Sequence, residues 1–199
     1  AMLGRGRADR AIHGAAWLSN HGIATALPLL YAVSGQIELL VIPEVRGRTL
    51  LHVMADDWRS ATPTPLATES SITGVLGRDL AAMVLNGRFN RDHKPSNLIV
   101  DVTKSPVQVA VIDTVAIQLI KPRAAVVEHG ARMLVSLLIE PMGCGVAPRL
   151  AARRRLVRAF LGAMWEMQAV DGDTTPMDTD WEMQSARAVW GMVAKLLAR

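Results

Sequence analysis

Apolar positions along the first part of the chain change from a helix-like spacing to continuous β-like runs, and this change marks the predicted elements. Residues 7–21 have the spaced apolar positions of a helix, which Gly22 is expected to end. Two β-like runs follow at 26–33 and 37–45. The Ser-Gly pair between them is a hairpin-type connection. The pattern therefore predicts a helix followed by a β-hairpin.

The next part of the chain is predicted to contain two helices separated by a loop. A short helix is expected over 48–58, and the Pro/Thr/Ser-rich segment 59–70 is typical of a loop. Ser70 or Ser71 is expected to cap a longer helix that continues to about Leu85. The apolar residues of this helix share one face: Ile72, Val75, Leu76, Leu80, Met83 and Val84.

The remainder of the chain is predicted to be one more hairpin and then mostly helix. The hairpin is expected from the β-like runs 98–102 and 107–113. Helices are predicted over 124–140 and 148–170, and a polar linker at 171–180 precedes a last helix in 181–199. The order helix, hairpin, helices, hairpin, helices predicts an α+β fold with its helical mass toward the C-terminus.

Composition limits the classes of protein that this chain can belong to. Its 199 residues are 50% hydrophobic and 20% charged, which predicts one globular domain. Apolar stretches are broken by charges before the roughly 20 residues that a membrane-spanning helix needs. No secretory signal is recognisable, and the single Cys144 fits a reducing compartment, so a cytoplasmic location is expected.

The charge and the content of metal-binding residues limit which partners and metals the chain is expected to bind. The net charge of +4 is mild and permits an anionic partner without identifying one. The five His residues and the one Cys have no zinc-site spacing. The five Trp residues are not interleaved with basic residues, so nucleic-acid binding is not expected.

One segment, NGRFNRDHKPSNLIVD at 86–101, combines residues that suit phosphoryl transfer. That reaction needs a carboxylate for the acceptor hydroxyl, hard oxygen ligands for Mg²⁺ and a cation for the moving phosphoryl group. Asp92 could be the carboxylate and Lys94 the cation, while Asn97 and Asp113 could hold the metal. The predicted hairpin between Asn97 and Asp113 can fold the chain back so that the two metal ligands meet.

These residues resemble the catalytic loop of the protein-kinase-like superfamily, H-R-D-x-K-x-x-N. More narrowly, the chain looks like the lipopolysaccharide-core sugar kinases, the Kdo/heptose kinase family. The resemblance covers roughly residues 7 to 165, and its supporting segments are RADRA..AAWLSNHGIATALPLL (7–30), LLVIPEVRG (39–47), NRDHKPSNLIV (90–100), VIDTVAIQ (111–118) and VAPRLAARRRLVRAFL (146–161).

The resemblance implies a protein-kinase-like fold with ATP and Mg²⁺ as cofactors. Asp92 would be the catalytic base, Lys94 the phosphate-contacting cation, and Asn97 and Asp113 the Mg²⁺ ligands. Backbone groups of Glu44 and Val45 would contact the adenine. The acceptor would be an inner-core sugar hydroxyl of lipopolysaccharide, at the cytoplasmic face of the inner membrane, with a protein Ser/Thr as the second choice.

The resemblance also implies how the chain divides. Residues 1–170 would form the kinase-like domain, with a partial N-terminal lobe at 1–47 and the C-terminal lobe at 48–170. The Gly-rich loop and strand Lys of such kinases are absent, and both would lie upstream of residue 1. Because the chain opens Ala1-Met2, we expect it to be N-terminally incomplete, and without those two features we expect it to be inactive by itself.

Other departures from the kinase pattern leave alternatives open. Asn90 replaces the usual His of the catalytic loop, whose role is mainly architectural. The first helix has Ala11 where a Glu would partner the strand Lys, and Asp9 is an imperfect substitute. A pseudokinase or interaction module without catalysis is therefore the alternative from another class. An ordinary polar turn around Asp92 and Asn97 is the simplest reading of the loop itself.

Several neighbouring residues have a plainer interpretation than a catalytic one. Arg91 is expected to form a structural ion pair rather than to contact a phosphorylated segment. His93 is expected to be a packed or solvated loop residue, and Thr114 to fill a loop rather than to help position Mg²⁺. Five arginines on the predicted helix 148–170 form either a solvated basic face or a surface for anionic lipid: Arg149, Arg153, Arg154, Arg155 and Arg158.

Overall fold

A computed structural model describes residues 6–59, 66–121, 125–146, 148–170, 187–191 and 194–195. Five helices are bounded within these ranges: α1 (Arg7–Asn20), α2 (Leu50–Arg59), α3 (Leu66–Leu85), α4 (Val126–Gly143) and α5 (Leu150–Val170).

Within the same described ranges, seven short strands form three small antiparallel sheets. The strands are β1 (Leu30–Ser34), β2 (Ile37–Val41), β3 (Arg48–Thr49), β4 (Arg88–Asn90), β5 (Leu98–Asp101), β6 (Gln108–Val111) and β7 (Ile117–Leu119). β1 pairs with β2, β5 lies between β3 and β6, and β4 pairs with β7. The predicted α+β class is confirmed.

The predicted helices and hairpins are present, but the strands are shorter than predicted. Arg48–Thr49 form β3, so the helix predicted over 48–58 begins only at Leu50. The first hairpin pairs Leu30 with Val41 and turns at Gly35, whose φ of 61° suits glycine. The loop predicted over 59–70 is wrong at both ends, because α2 includes Arg59 and α3 begins at Leu66. Ser70 and Ser71 therefore lie inside α3 and do not cap it, and residues 60–65 fall outside the described residues.

The core lies where α3, α4 and α5 meet. Phe160 of α5 is fully buried, and its ring approaches Gly130 of α4 so closely that an added Cβ there would lie 2.5 Å from it. A Cβ on Gly77 of α3 would lie 2.6 Å from the Ala159 backbone. Small residues thus permit close helix packing, and the predicted apolar face of α3 is largely buried against α5.

Helix α1 is fixed to the rest of the fold at both ends. Its N-terminus is held by β2, since the Ala8 backbone nitrogen donates to the Glu38 carboxylate at 2.8 Å. Beyond its C-terminus, the Thr25 hydroxyl donates to the carbonyl oxygen of Val111, the last residue of β6, at 2.8 Å. These contacts place α1 beside the strand that leads to Asp113.

The β1–β2 hairpin lies outside the core, and its apolar side chains are exposed except for the half-buried Leu40. At the other end of the chain, the predicted linker 171–180 lies outside the described residues. Residues 187–191 are helical, and Val189 is fully buried, so part of the predicted last helix packs on the domain. Among the described residues, no helix is both long and apolar enough to cross a membrane.

Candidate active site

The loop that carries Asp92 is built by local backbone hydrogen bonds. It begins where β4 ends at Asn90, and the Arg91 nitrogen donates to the Ala116 carbonyl oxygen at 3.1 Å. The Lys94 nitrogen then donates to the Asp92 carbonyl oxygen at 3.0 Å. A 3-10 turn over Pro95–Asn97 leads directly into β5. These turns bring the side chains of Asp92, Lys94 and Asn97 close together.

The side chains of Asp92, Lys94 and Asn97 are in contact. The Asn97 amide nitrogen donates to the Asp92 carbonyl oxygen at 3.0 Å and to its Oδ2 at 3.2 Å. The Lys94 ammonium lies 3.3 Å from the same Oδ2. Both polar neighbours therefore engage the same carboxylate oxygen of Asp92, its Oδ2, and neither contacts its Oδ1.

The ion pair between Lys94 and Asp92 is too exposed to contribute much to the stability of the fold. The side chains of Lys94 and Asp92 are 35% and 41% exposed. Ion pairs with this much solvent contact contribute at most about 1 kcal/mol to folding. A charged, partly exposed cluster held by a rigid turn is instead what binding of a charged substrate requires.

Asp113 is brought to the same loop by the β5–β6 hairpin. The Ile112 nitrogen donates to the Asn97 carbonyl oxygen at 3.0 Å, so the residue before Asp113 is hydrogen-bonded to Asn97. The Asp113 Oδ1 accepts a hydrogen bond from the Val115 nitrogen at 3.3 Å, which orients the carboxylate. The predicted fold-back of the chain is thus present.

Asn90 links the two aspartates and takes the architectural role expected for the residue that it replaces. It is 1% exposed. Its Oδ1 accepts from the Asp92 nitrogen at 3.0 Å, and its Nδ2 donates to the Asp113 carbonyl oxygen at 3.4 Å. A single buried amide therefore connects the loop of Asp92 to Asp113, two residues after β6 ends.

Asp92 and Asp113 line one cavity of about 730 Å³. Three arginines line it with them: Arg7 and Arg10 of α1, and Arg91 of the loop. This space therefore combines two carboxylates with three guanidinium groups. Such a mixture can accept a metal–phosphate complex, because the carboxylates attract the cation and the arginines attract the anion.

Glu44 and Val45 lie apart from this cavity. They follow β2 and line another cavity of about 560 Å³, beside Ile99 and Ala110. Neither Asp92 nor Asp113 is among the described residues that line it. The structure therefore brings Asp92 and Asp113 to one cavity, and Lys94 and Asn97 contact Asp92 without lining that cavity. It places the predicted adenine contacts, Glu44 and Val45, at a separate opening.

The residues at 97 and 113 have the donor atoms that Mg²⁺ prefers. Because the amide nitrogen of Asn97 faces Asp92, its amide oxygen is turned away from Asp92. Asp113 uses Oδ1 for the Val115 hydrogen bond and retains Oδ2. Amide and carboxylate oxygens fit the hard cation. Within the described ranges, no cluster of three or more His, Cys, Asp or Glu suggests a different metal site.

His93 supports the loop from inside the protein. It is 1% exposed, and among the described residues neither ring nitrogen has a hydrogen-bond partner. Burial lowers the pKa of His93 to about 4, because the charged form is excluded from the interior. His93 is therefore neutral near pH 7 and is packed rather than solvated.

Some residues that shape the site carry no local signal in the sequence. Glu140 of α4 accepts hydrogen bonds from Ser96, which lies 44 positions earlier. Arg7 and Arg10 belong to a helix that the apolar pattern predicts. The sequence does not show that this helix packs beside Asp113. The Thr114 hydroxyl donates to the Ala11 carbonyl oxygen at 2.7 Å, which agrees with the structural interpretation of Thr114.

The chain is similar to known proteins in its fold. No protein-family model matches the chain, and no curated protein matches it. Among solved structures, the fold is similar to that of WaaP in complex with acyl carrier protein. The TM-score is 0.61 and the sequence identity is 18%, over 92% of this chain and 76% of that chain. The predicted protein-kinase-like fold is confirmed by this likeness.

Proposed function

We propose that this protein is an ATP- and Mg²⁺-dependent phosphotransferase that acts on an alcohol group. The observation that carries the proposal is the cluster of Asp92, Lys94 and Asn97, joined through Asn90 and Ile112 to Asp113. Phosphoryl transfer depends mainly on positioning and on electrostatic stabilisation, and this cluster contains the groups for both.

The proposal gives each side chain of the cluster a role. Asp92 accepts or orients the proton of the acceptor hydroxyl through Oδ1, the oxygen that Lys94 and Asn97 do not occupy. Lys94 moves from Asp92 to the transferred phosphoryl group when nucleotide binds. Asn97 and Asp113 would hold Mg²⁺, which neutralises charge on the phosphates when bound.

The nucleotide base is proposed to bind beside Glu44 and Val45. Their backbone groups would contact the adenine edge, and the apolar side chains of Ile99 and Ala110 in the same cavity would pack against its face. Because the described cavities at Glu44 and at Asp92 are separate, this placement rests on the kinase-like fold and on the apolar character of Ile99 and Ala110.

The proposed acceptor is a sugar hydroxyl of the lipopolysaccharide core. Two observations support it: the sequence motifs of that kinase family, and a fold similar to that of WaaP, a lipopolysaccharide core kinase. The proposed location is the cytoplasmic face of the inner membrane, with peripheral contact to anionic lipid. A protein Ser/Thr hydroxyl is the second choice of acceptor.

A pseudokinase is the alternative, and one specific observation favours it. Helix α1 has Ala11 at the position of the expected Glu, and it directs Arg7 and Arg10 rather than a carboxylate into the cavity of Asp92 and Asp113. A module of this kind would keep the loop as architecture and bind a partner without turnover.

The test is phosphate transfer from ATP to purified lipopolysaccharide core, compared between wild type and Asp92→Asn. We expect the substitution to lower turnover at least 100-fold while leaving the circular dichroism spectrum unchanged. Asp56→Asn is the matched control, because Asp56 is an exposed partner of Arg48 on α2 and should retain full activity. Equal turnover of Asp92→Asn and wild type would refute the role of Asp92. No turnover in wild type would favour the pseudokinase only if a version extended by the residues encoded upstream of Ala1 is also inactive.

A further inference from the structure

A cavity of about 460 Å³ lies between α3, the turn that joins β5 to β6, and the loop that follows α1. We name it the Asp79 cavity. Helix α3 contributes Val75, Arg78 and Asp79, which share one face because they are three and four positions apart. The β5–β6 turn contributes Lys104. None of the described residues in its wall belongs to the cluster proposed for phosphoryl transfer.

The carboxylate of Asp79 is half-buried and has neither a hydrogen bond nor an ion pair with another described residue. Its neighbour Arg78 extends back along α3 instead, since an added Cβ on Gly74 would lie 4.0 Å from the Arg78 Nη1. Burial raises the pKa of Asp79 to about 7, and the charge of Arg78 only partly offsets this effect. A carboxylate taken out of water without a partner resists ionisation, and a bound cation reverses that loss.

The same wall carries two cations that are open to solvent. Arg78 and Lys104 are exposed, and neither forms an ion pair within the described part of the chain. Hydrogen bonds from Thr103 hold the pKa of Asp101 below its ordinary value, and the nearby charge of Lys104 lowers it further. Lys104 therefore lies on the side of the cavity toward Asp101, and its charge does not offset the burial of Asp79.

We infer that the Asp79 cavity binds a small zwitterion, in which a primary ammonium group is joined to a carboxylate by a short carbon chain. The ammonium pairs with Asp79, and the carboxylate pairs with Arg78 and Lys104. The carbon chain lies against the side chains of Val107 and Val109, which also line the cavity.

A ligand with a single charge fits this wall less well. A diamine or a simple amine brings a cation to Asp79 but gains nothing from Arg78 and Lys104, which repel it. A simple carboxylate pairs with these two cations and leaves the Asp79 carboxylate without a partner. Only a ligand with both charges engages all three groups.

The Asp79 cavity adjoins the cavity of Glu44 and Val45, where the nucleotide base is proposed to bind. Lys104 and Gln108 line both cavities, whereas Asp79 lines only the one named after it. Substitution of Asp79 therefore tests the zwitterion site without changing a residue of the proposed nucleotide site. The inference does not depend on the proposed phosphotransferase activity.

The probes are ω-amino carboxylates from glycine to 6-aminohexanoate, titrated into the full chain and followed by protein NMR. We expect the affinity to pass through a maximum in this series, because the two charged ends are recognised at fixed positions of the wall. Butanoate, which has no ammonium group, should bind at least about tenfold more weakly than the best zwitterion. Butan-1-amine should bind about two- to fivefold more weakly, since it loses only exposed ion pairs.

Matched variants test the two ends of the ligand separately. Asp79→Asn removes the charge with little change of shape and should lower the affinity of the best zwitterion at least about tenfold. Asp56→Asn is its control, because Asp56 is an exposed carboxylate on α2. Lys104→Gln should lower the affinity about two- to fivefold. Lys121→Gln, which changes an exposed lysine outside the described wall, should leave it unchanged.

The pH dependence of the wild type is a test that needs no variant. Because the ammonium group pairs with ionised Asp79, the zwitterion should bind about tenfold more tightly at pH 8 than at pH 6. The other charged groups of the described wall are Arg78 on α3 and Lys104 on the β5–β6 turn, and arginines and lysines titrate at higher pH. Strand β6 and the loop after α1 contribute no titratable side chain to this wall.

Each part of the inference can be overturned. Equal affinity of Asp79→Asn and wild type, or an affinity of the wild type that does not change between pH 6 and 8, would remove the role of Asp79. Equal affinity of butan-1-amine and the best zwitterion would remove the role of the two cations. If no probe shifts the amide signals of residues in the wall, the Asp79 cavity does not bind zwitterions.

Discussion

The carboxylate of Glu140 in α4 accepts two hydrogen bonds from Ser96, one from the backbone nitrogen at 2.7 Å and one from the hydroxyl at 2.6 Å. Ser96 lies in the 3-10 turn between Lys94 and Asn97. The C-terminal part of a core helix therefore fixes the turn that sets the relative positions of the proposed cation and metal ligand. A rigid supporting contact of this kind is what a preorganised site needs.

Glu140→Ala should release this turn and lower the stability of the domain. Each hydrogen bond to a charged group contributes about 1.5–3 kcal/mol, and both partners are half-buried here. We expect the free energy of unfolding in urea to fall by about 2 kcal/mol. Glu128→Ala, which breaks an exposed pair with Arg132 on the same helix, should cost less than about 1 kcal/mol. Equal losses in the two variants would contradict a special role for Glu140.

Because the ring of His93 is buried, we expect the domain to lose stability in acid. Burial lowers the pKa of its ring to about 4, below the ordinary 6.5. The unfolded chain therefore binds the proton more readily, so stability is full above pH 6.5 and falls as the pH drops toward 4. The loss attributable to His93 is up to about 3 kcal/mol, and it should be visible in urea unfolding between pH 7 and 4.

His93→Leu isolates this contribution, because leucine fills a buried position without a titrating ring. We expect its free energy of unfolding to change less than that of wild type across the same pH range. His13→Leu is the control, since His13 is exposed on α1 and should leave the wild-type pH dependence intact. Parallel curves for His93→Leu and wild type would show that the buried ring does not govern the acid response.

Asp79 of α3 should have the opposite effect to His93: it should make the domain less stable as the pH rises. Burial raises its pKa to about 7, and nearby Arg78 only partly offsets the effect. The folded state then binds the proton more tightly than the unfolded state, so the stability due to this group is lost as the pH rises from about 4 through 7. Because the residue keeps some solvent contact, the effect is on the order of 2 kcal/mol. Asp79→Asn should be more stable than wild type at pH 8 and about equal near pH 4, as measured by urea unfolding.

Local patterns were sufficient for the parts of the site that are close in sequence. Asp92 and Asn97 are five positions apart on a turn, so their contact follows from turn geometry. The β5–β6 hairpin was visible as two apolar runs, and it returns Asp113 to Asn97. The support from Glu140 could not be predicted, because it depends on how α4 packs against a loop 44 residues earlier.

The errors in secondary structure have equally specific causes. The loop predicted at 59–70 followed from its Pro, Thr and Ser content, although proline is compatible with the start of a helix and α3 begins directly after Pro65. Strands β4 and β7 were missed because they are three residues each and pair across a long separation. Strands this short form because they pair with a distant strand, and they are too short to show an alternating apolar pattern in the sequence.

Asn90→Ala tests whether one buried amide holds the two aspartates together. The substitution removes the acceptor for the Asp92 nitrogen and the donor for the Asp113 carbonyl oxygen, which leaves buried polar groups without partners. We expect the free energy of unfolding to fall by about 2 kcal/mol and magnesium–ATP affinity in calorimetry to fall at least tenfold. Asn86→Ala is the control, since its exposed amide donates to the Ala82 carbonyl oxygen near the end of α3, away from both aspartates. A variant that loses stability but binds magnesium–ATP as tightly as wild type would mean that Asn90 supports the fold without positioning the site.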